Sequence, residues 1–118
     1  TLTVPNGRVW RVISVRFSMV AAAAAASRRV HLVFTPTTGG VIDCFSDVDQ
    51  IISETKTYSC AAFPDLPDRT DDDDILISIP GNILLDENGT ITTETTALNA
   101  GDNFGTMVAL VESFWRTT

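Results

Sequence analysis

With 118 residues, 44% of them hydrophobic and 19% charged, the sequence is typical of one globular domain over residues 1–118, not of a disordered chain. A formal net charge of −7 argues against free nucleic acid as a partner, because neutralising phosphates needs a basic surface. No apolar run reaches the roughly 18 residues of a membrane-spanning helix and no signal-peptide pattern opens the sequence, so no membrane partner is expected.

The charges are segregated along the chain. Residues 1–42 contain five arginines and no acidic residue, residues 43–74 contain ten acidic residues against two basic ones, and residues 75–118 contain five acidic residues against one arginine. Two interpretations stay open: a mixed surface after folding, or complementary patches that support self-assembly.

The longest strand pattern runs from Arg8 to Val20, after a turn at Pro5–Gly7. Beyond Arg11 its odd-numbered positions are all apolar, whereas its even-numbered positions are Ser, Arg and Val. A period of two over more than ten residues predicts a strand with one face in a core, and the β-branched residues favour this too. We expect the long central strand of an all-β domain.

An alanine run, Ala21–Ala26, and then Ser27, Arg28 and Arg29 follow that strand. Six alanines are fewer than the roughly 12 residues at which an isolated helix becomes marginally stable. We therefore expect the tail of the strand followed by a loop. This loop is either a tolerated low-complexity segment or a flat apolar patch that packs against a neighbouring subunit.

The next stretch predicts a hairpin and a further strand. Val30–Thr35 and Val41–Phe45 flank the turn residues 36–40, and Ser46–Ile52 is expected to be a connection. Glu54–Ala61 alternates, but neither of its faces is strongly apolar. It is therefore predicted to be an edge strand or a strand covered by a partner.

The clearest loop is Ala62–Asp74, which contains two prolines and six aspartates. The remaining expected elements are a strand at Ile75–Ile79, a short extended piece at Asn82–Asp86, a hairpin turn at Glu87–Gly89, a strand at Thr90–Thr96, a turn at Asn99–Asn103 and a last strand at Gly105–Trp115. About seven to nine strands without a convincing helix predict a single antiparallel β-sandwich or jelly-roll-like domain. The long first and last strands are expected to be neighbours.

The sequence carries no catalytic signature. Zinc-type Cys/His spacing, a phosphate-binding glycine loop and a nucleophile elbow are missing, so we expect no enzyme and no cofactor. His31 has no Cys, Asp or Ser partner nearby in sequence and is expected on a strand surface. Cys44 and Cys60 are interpreted as buried thiols, with a disulfide as the alternative.

Four segments follow one another in an order that resembles a class of small β-sandwich structural proteins of bacteriophages. They are the opening Val4–Val12, the strand start Arg28–Val30, the loop Phe63–Pro67 and the turn Asn99–Asn103. The alanine run and Asp71–Asp74 are not part of the pattern. The resemblance implies a virion component, such as a head decoration (cement) protein or a module associated with a tail or fibre.

The resulting hypothesis is a non-enzymatic virion structural protein, most simply a capsid decoration (minor capsid) protein assembled in the host cytoplasm. Its partners would be the major capsid protein or other virion proteins, and copies of itself in a trimer or larger ring. The alternative is a carbohydrate-binding β-sandwich, either receptor-binding on a tail or fibre or Ca²⁺-dependent. Its expected mark is an exposed aromatic platform, for which Trp10 and Trp115 are the candidates, although core or rim packing is the default interpretation of both.

The candidate interface residues are small and apolar or charged: Ala21, Ala22, Ala23, Ala24, Ala25, Ala26, Arg28, Arg29, Asp71 and Asp72. Their opposite charges predict an Arg–Asp pairing between subunits. Asp71, Asp72, Asp73 and Asp74 are also weak candidates for binding a cation such as Ca²⁺, with a solvated acidic loop as the alternative.

Overall fold

A computed structural model describes residues 1–24, 26–62 and 74–116 of the chain. These residues contain ten strands: β1 (Leu2–Thr3), β2 (Arg8–Val20), β3 (Arg28–Thr35), β4 (Ile42–Gln50), β5 (Thr55–Ala61), β6 (Asp74–Ser78), β7 (Ile83–Leu85), β8 (Thr90–Thr95), β9 (Asn103–Phe104) and β10 (Val108–Trp115). No helix in this part of the chain is long and apolar enough to cross a membrane.

The strands form two sheets that pack together around one core. The first sheet has the order β1-β8-β3-β4, and the second has the order β10-β2-β5-β6 with β7 and β9 also paired to β2. Every pair is antiparallel except β5 with β6, which is parallel. The predicted all-β sandwich is confirmed, with one strand more than the upper expected number.

Strand β2 is the centre of its sheet, as predicted. Its residues Trp10–Val12 pair with both β7 and β10, and Ser14–Arg16 pair with both β5 and β10, so β5 and β7 lie along one side and β10 along the other. The first long strand and the last strand are neighbours in the sheet, as predicted, with Trp115 opposite Arg8.

A β-bulge at Ile13 divides β2 into two halves with opposite alternation. The register with β10 shifts between Leu110 and Val111, which leaves Ile13 as the extra residue on β2. A bulge moves the following side chains to the other face of the sheet. Val12 is therefore only 2% exposed and Ile13 is 37% exposed. The prediction of an inward-facing odd-numbered set is correct beyond the bulge and wrong at Ile13.

Two expectations for β4 and β5 are wrong. Strand β4 continues to Gln50, so Ser46–Ile52 is not a connection. Strand β5 is not an edge, because it lies between β2 and β6. On its inward face, the hydroxyl of Tyr58 donates to Oε1 of Gln50 at 2.9 Å. Because this hydrogen bond satisfies the polar atom of Tyr58, the face can be buried.

The turn at Glu87–Gly89 links the two sheets and does not form the predicted hairpin. Strand β7 pairs with β2, whereas β8 pairs with β1 and β3 in the other sheet. Asn88 adopts a positive φ of 67°, which suits the Asn-Gly pair. The backbone N–H of Asn88 donates to the carbonyl of Val4, so the N-terminal segment holds this crossing between sheets.

Both cysteines are buried and free, as interpreted from the sequence. Burial raises the pKa of Cys44 and raises that of Cys60 to about 12, so both thiols stay protonated at neutral pH. Beside them the rings of Phe17 and Tyr58 stack with centroids 5.1 Å apart. The centre of the sandwich is an apolar core with no reactive thiolate.

The bulge predicts unequal costs for two adjacent β-branched residues. Val12→Ala should lower the free energy of unfolding by about 2 kcal/mol, because it opens a cavity in the core, whereas Ile13→Ala should cost less than about 1 kcal/mol. Urea unfolding of the two variants checks this. A larger loss for Ile13→Ala than for Val12→Ala would place the bulge elsewhere.

Candidate functional site

Three loops meet at one end of the sandwich, here called the loop end. They are residues 21–27 between β2 and β3, residues 51–54 between β4 and β5, and residues 96–102 between β8 and β9. Backbone hydrogen bonds join the first two, since Ala21 N donates to Glu54 O at 2.8 Å and Ser53 N donates to Ala22 O at 3.1 Å.

Arg28 organises the first loop from the inside. Its side chain is fully buried, and its guanidinium donates to the backbone carbonyls of Ala24 at 2.9 Å, Ala26 at 3.1 Å and Ala22 at 3.5 Å. The alanine run thus wraps its carbonyl oxygens around one cation. A planar guanidinium with five donors suits this task better than an ammonium group does.

Asp102 joins the first loop to the third. Its carboxylate accepts from Nε of Arg28 at 2.7 Å, from the backbone N–H of Ala22 at 2.6 Å and from that of Asn99 at 2.9 Å. The side chain is fully buried. These bonds, led by the one from Arg28, lower the pKa of Asp102 to about 2, so the carboxylate is ionised at neutral pH.

Small residues let the loops approach one another closely. Gly101 has a φ of +95°, and a Cβ built there would lie 3.3 Å from Cβ of Ala22. Ser53 and Ala97 also adopt positive φ values, 58° and 53°, in the other tight turns. Such conformations cost free energy in a non-glycine residue and persist only where the surroundings fix them.

Hydrophobic residues from all three loops are exposed at the loop end. They are Ala23, Ala24, Ile51, Ile52, Ala97, Leu98 and Ala100, and the exposed polar residues beside them are Ser27, Ser53 and Thr96. Leu98 is 66% exposed. Exposed hydrophobic residues on a backbone fixed by buried hydrogen bonds are typical of an interaction site.

The structure divides the predicted alanine patch. Ala21 is buried, Ala22 and Ala26 are half-buried, and only Ala23 and Ala24 are exposed among the alanines that the structure describes, with Ala25 outside the described residues. The apolar contributions of Ile51, Ile52 and Leu98 were missed, because they come from loops distant in sequence.

Arg28 is not an exposed interface residue. It is fully buried and pairs with Asp102 of its own chain, so the predicted pairing of this arginine with an aspartate of another subunit is wrong. Desolvation explains the result: a buried guanidinium needs a carboxylate partner within the same interior. Arg29 is exposed, and its Nε lies 3.0 Å from Oδ1 of Asp49 on β4.

The acidic candidates Asp71, Asp72 and Asp73 lie outside the described residues, as does the segment Phe63–Pro67. Asp74 is the first residue of β6 and is half-buried. Over residues 1–24, 26–62 and 74–116, no group of three or more His, Cys, Asp or Glu side chains is placed to hold a metal ion.

His31 has partners that the sequence did not reveal. Its Nδ1 lies 2.5 Å from Oδ1 of Asp43, its Nε2 lies 3.6 Å from Oε2 of Glu94, and its ring stacks on Phe45 with centroids 4.5 Å apart. The partners come from β4 and β8, the two neighbours of β3. His31 is 8% exposed, so the expectation of a strand-surface position is wrong, and only the strand order could have revealed its partners.

Comparison of the chain with protein-family models, curated proteins and solved structures gives no match.

The depressed pKa of Asp102 predicts a pH dependence of stability. Because its pKa in the folded chain, about 2, lies below the ordinary value of 3.8, the ionised carboxylate stabilises the fold. This contribution is complete above pH 3.8 and is lost as the pH falls toward 2. The stability advantage of the wild type over Asp102→Asn should therefore be constant near neutral pH and shrink across that window.

Denaturant unfolding of both proteins at a series of pH values measures this difference. Because the other titrating groups are the same in both proteins, their contributions cancel in the comparison. An advantage that persists undiminished to pH 2 would show that Asp102 does not carry the predicted charge.

Proposed function

We propose that the chain is a non-enzymatic structural protein that docks through its loop end on a repeating protein lattice, as a capsid decoration (minor capsid) protein does on a virion. The observation that carries the proposal is the apolar surface of the loop end, held in place by the buried Arg28–Asp102 pair. Neither a cofactor nor a metal is part of the proposed action.

A rigid apolar patch favours docking over catalysis. The loops 21–27 and 96–102 are already fixed by the bonds to Arg28 and Asp102, and the loop 51–54 is hydrogen-bonded to the first of them. Little conformational freedom therefore remains to be lost on binding. Repeated weak contacts on a lattice then add by multivalency, so each copy needs only a small patch.

The assignment to a virion rests on the sequence resemblance. Two of its four segments, Arg28–Val30 and Asn99–Asn103, supply the two members of the buried ion pair. These two segments therefore also fix the loop end. The partners proposed on this basis are the major capsid protein or other virion proteins, with the assembled particle as the location.

The test is co-sedimentation of the purified chain with empty capsids assembled from the major capsid protein encoded with it. Binding should saturate at a fixed ratio to the capsid subunits. The double variant Ile52→Asp with Leu98→Asp should bind about tenfold more weakly or worse, because two charges enter the apolar contact.

The matched control is the double variant Val41→Asp with Leu84→Asp, which places the same two charges on exposed apolar residues outside the loop end. This variant should bind like the wild type. No saturable binding by the wild type, or equal losses for the control and for Ile52→Asp with Leu98→Asp, would contradict docking through the loop end.

A carbohydrate-binding module is the second candidate, and one observation favours it. Trp115 is 72% exposed, and the guanidinium carbon of Arg8 lies 3.5 Å from its ring centroid, which orients the indole. Exposed aromatic rings serve as platforms for sugars. Binding of an oligosaccharide array that Trp115→Ala abolishes would favour this function over lattice docking.

A further inference from the structure

Strand β10 is the least protected edge of the sandwich. Among the described strands it pairs only with β2, and its eight residues leave the other edge open; the bulge in this pairing has its extra residue, Ile13, on β2. The other terminal strands differ in length or charge: β1 has two residues, β6 has five, and β4 carries Asp43, Asp47 and Asp49. Short strands and charges are usual ways to block edge-to-edge association.

The side chains of β10 that face away from the core are apolar. Val108, Leu110 and Phe114 are between 47% and 65% exposed. The one charged residue of the strand, Glu112, forms an ion pair with Arg11 on β2. The strand itself thus carries no unpaired charge, on a chain whose net charge is −7. A second copy can approach here without the repulsion that its acidic surfaces would meet elsewhere.

The unpaired backbone groups of this edge can be assigned. The N–H of Arg116 donates to the carbonyl of Gly7 at 2.8 Å, so this residue points toward β2. Because direction alternates along a strand, the even-numbered residues of β10 point to β2 as well. The open edge therefore carries the N–H and C=O groups of Ala109, Val111, Ser113 and Trp115.

We propose that β10 pairs with the β10 of a second copy in an antiparallel, two-fold symmetric dimer that joins the two β2-containing sheets into one. In an antiparallel pair, residues that point toward the open edge oppose each other. A two-fold axis at Val111 satisfies this requirement and uses nearly the full strand.

The axis at Val111 also gives the best side-chain pairs. It places Val108 opposite Phe114 of the partner subunit and Leu110 opposite Glu112 of the partner subunit. Aromatic and β-branched residues in opposition stabilise a sheet. Moving the axis to Glu112 would instead oppose the two Glu112 carboxylates, which is unfavourable.

The dimer goes beyond the proposed docking function and does not depend on it. Val108 lies opposite Arg16 and Trp115 lies opposite Arg8, so β10 runs along the part of β2 that precedes the loop end. Pairing through β10 leaves the loop end of each copy open. A dimer would then carry two docking surfaces, which raises avidity for a lattice.

The first test is sedimentation equilibrium of the purified chain and of Ser113→Pro. Proline removes the N–H that points to the open edge but no bond to β2, and proline is tolerated at such edge positions. The wild type should be a dimer whose dissociation constant rises about tenfold or more in Ser113→Pro, with little change in Tm. Ser113→Ala, which keeps the N–H, should remain a dimer.

A second variant tests the dimer independently, in case the proline variant misfolds. Leu110→Lys changes an outward side chain and should weaken the dimer to a similar extent with the fold intact by circular dichroism. A wild type that stays monomeric at every concentration, one that forms trimers or open polymers, or folded variants that dimerise like the wild type would overturn the proposal.

The register is tested by oxidative cross-linking of the double variant Val108→Cys with Phe114→Cys. These positions are six residues apart on one strand, roughly 20 Å, so no disulfide can form within a chain. Covalent dimers are expected, with Val108→Cys alone as the control that should not cross-link. Efficient cross-linking of Glu112→Cys alone would overturn the axis at Val111.

Discussion

The buried ion pair between Arg28 and Asp102 is the contact on which the loop end depends. Its two members are 74 residues apart in sequence, and together they satisfy backbone groups of two loops that have no regular structure of their own. A buried charge without its partner is strongly destabilising, so neither residue can be lost alone without disturbing both loops. Such a pair is suited to fixing the positions of the two loops.

Two surfaces of different character follow from this arrangement. At the loop end, alanines and the side chains of Ile51, Ile52 and Leu98 are exposed. The β10 edge combines apolar side chains with unsatisfied backbone groups, which an extended strand would complete. We propose the loop end for attachment to a different protein, and the β10 edge for contact with a second copy of the chain.

The sequence predicted the positions of the strands better than the contacts that their side chains make. Alternation located β2 and β10, since period-two patterns are local. The bulge at Ile13 is set by the pairing with β10, and the burial of Arg28 is set by Asp102, so neither has a local signal. The same reason applies to His31, whose carboxylate partners Asp43 and Glu94 lie on neighbouring strands. Arg28, predicted as an exposed interface residue, is therefore buried for a reason that its local sequence does not show.

Amide hydrogen exchange of Ala22 and Asn99 tests the central claim most directly, because both N–H groups donate to Asp102. The comparison is between the wild type and Arg28→Met, with Arg29→Met as the control for loss of an exposed guanidinium. Both amides should be protected in the wild type and in the control, and should exchange much faster in Arg28→Met while the amides of β2 stay protected. Equal protection in Arg28→Met and the wild type would contradict the account that this ion pair holds the loop end.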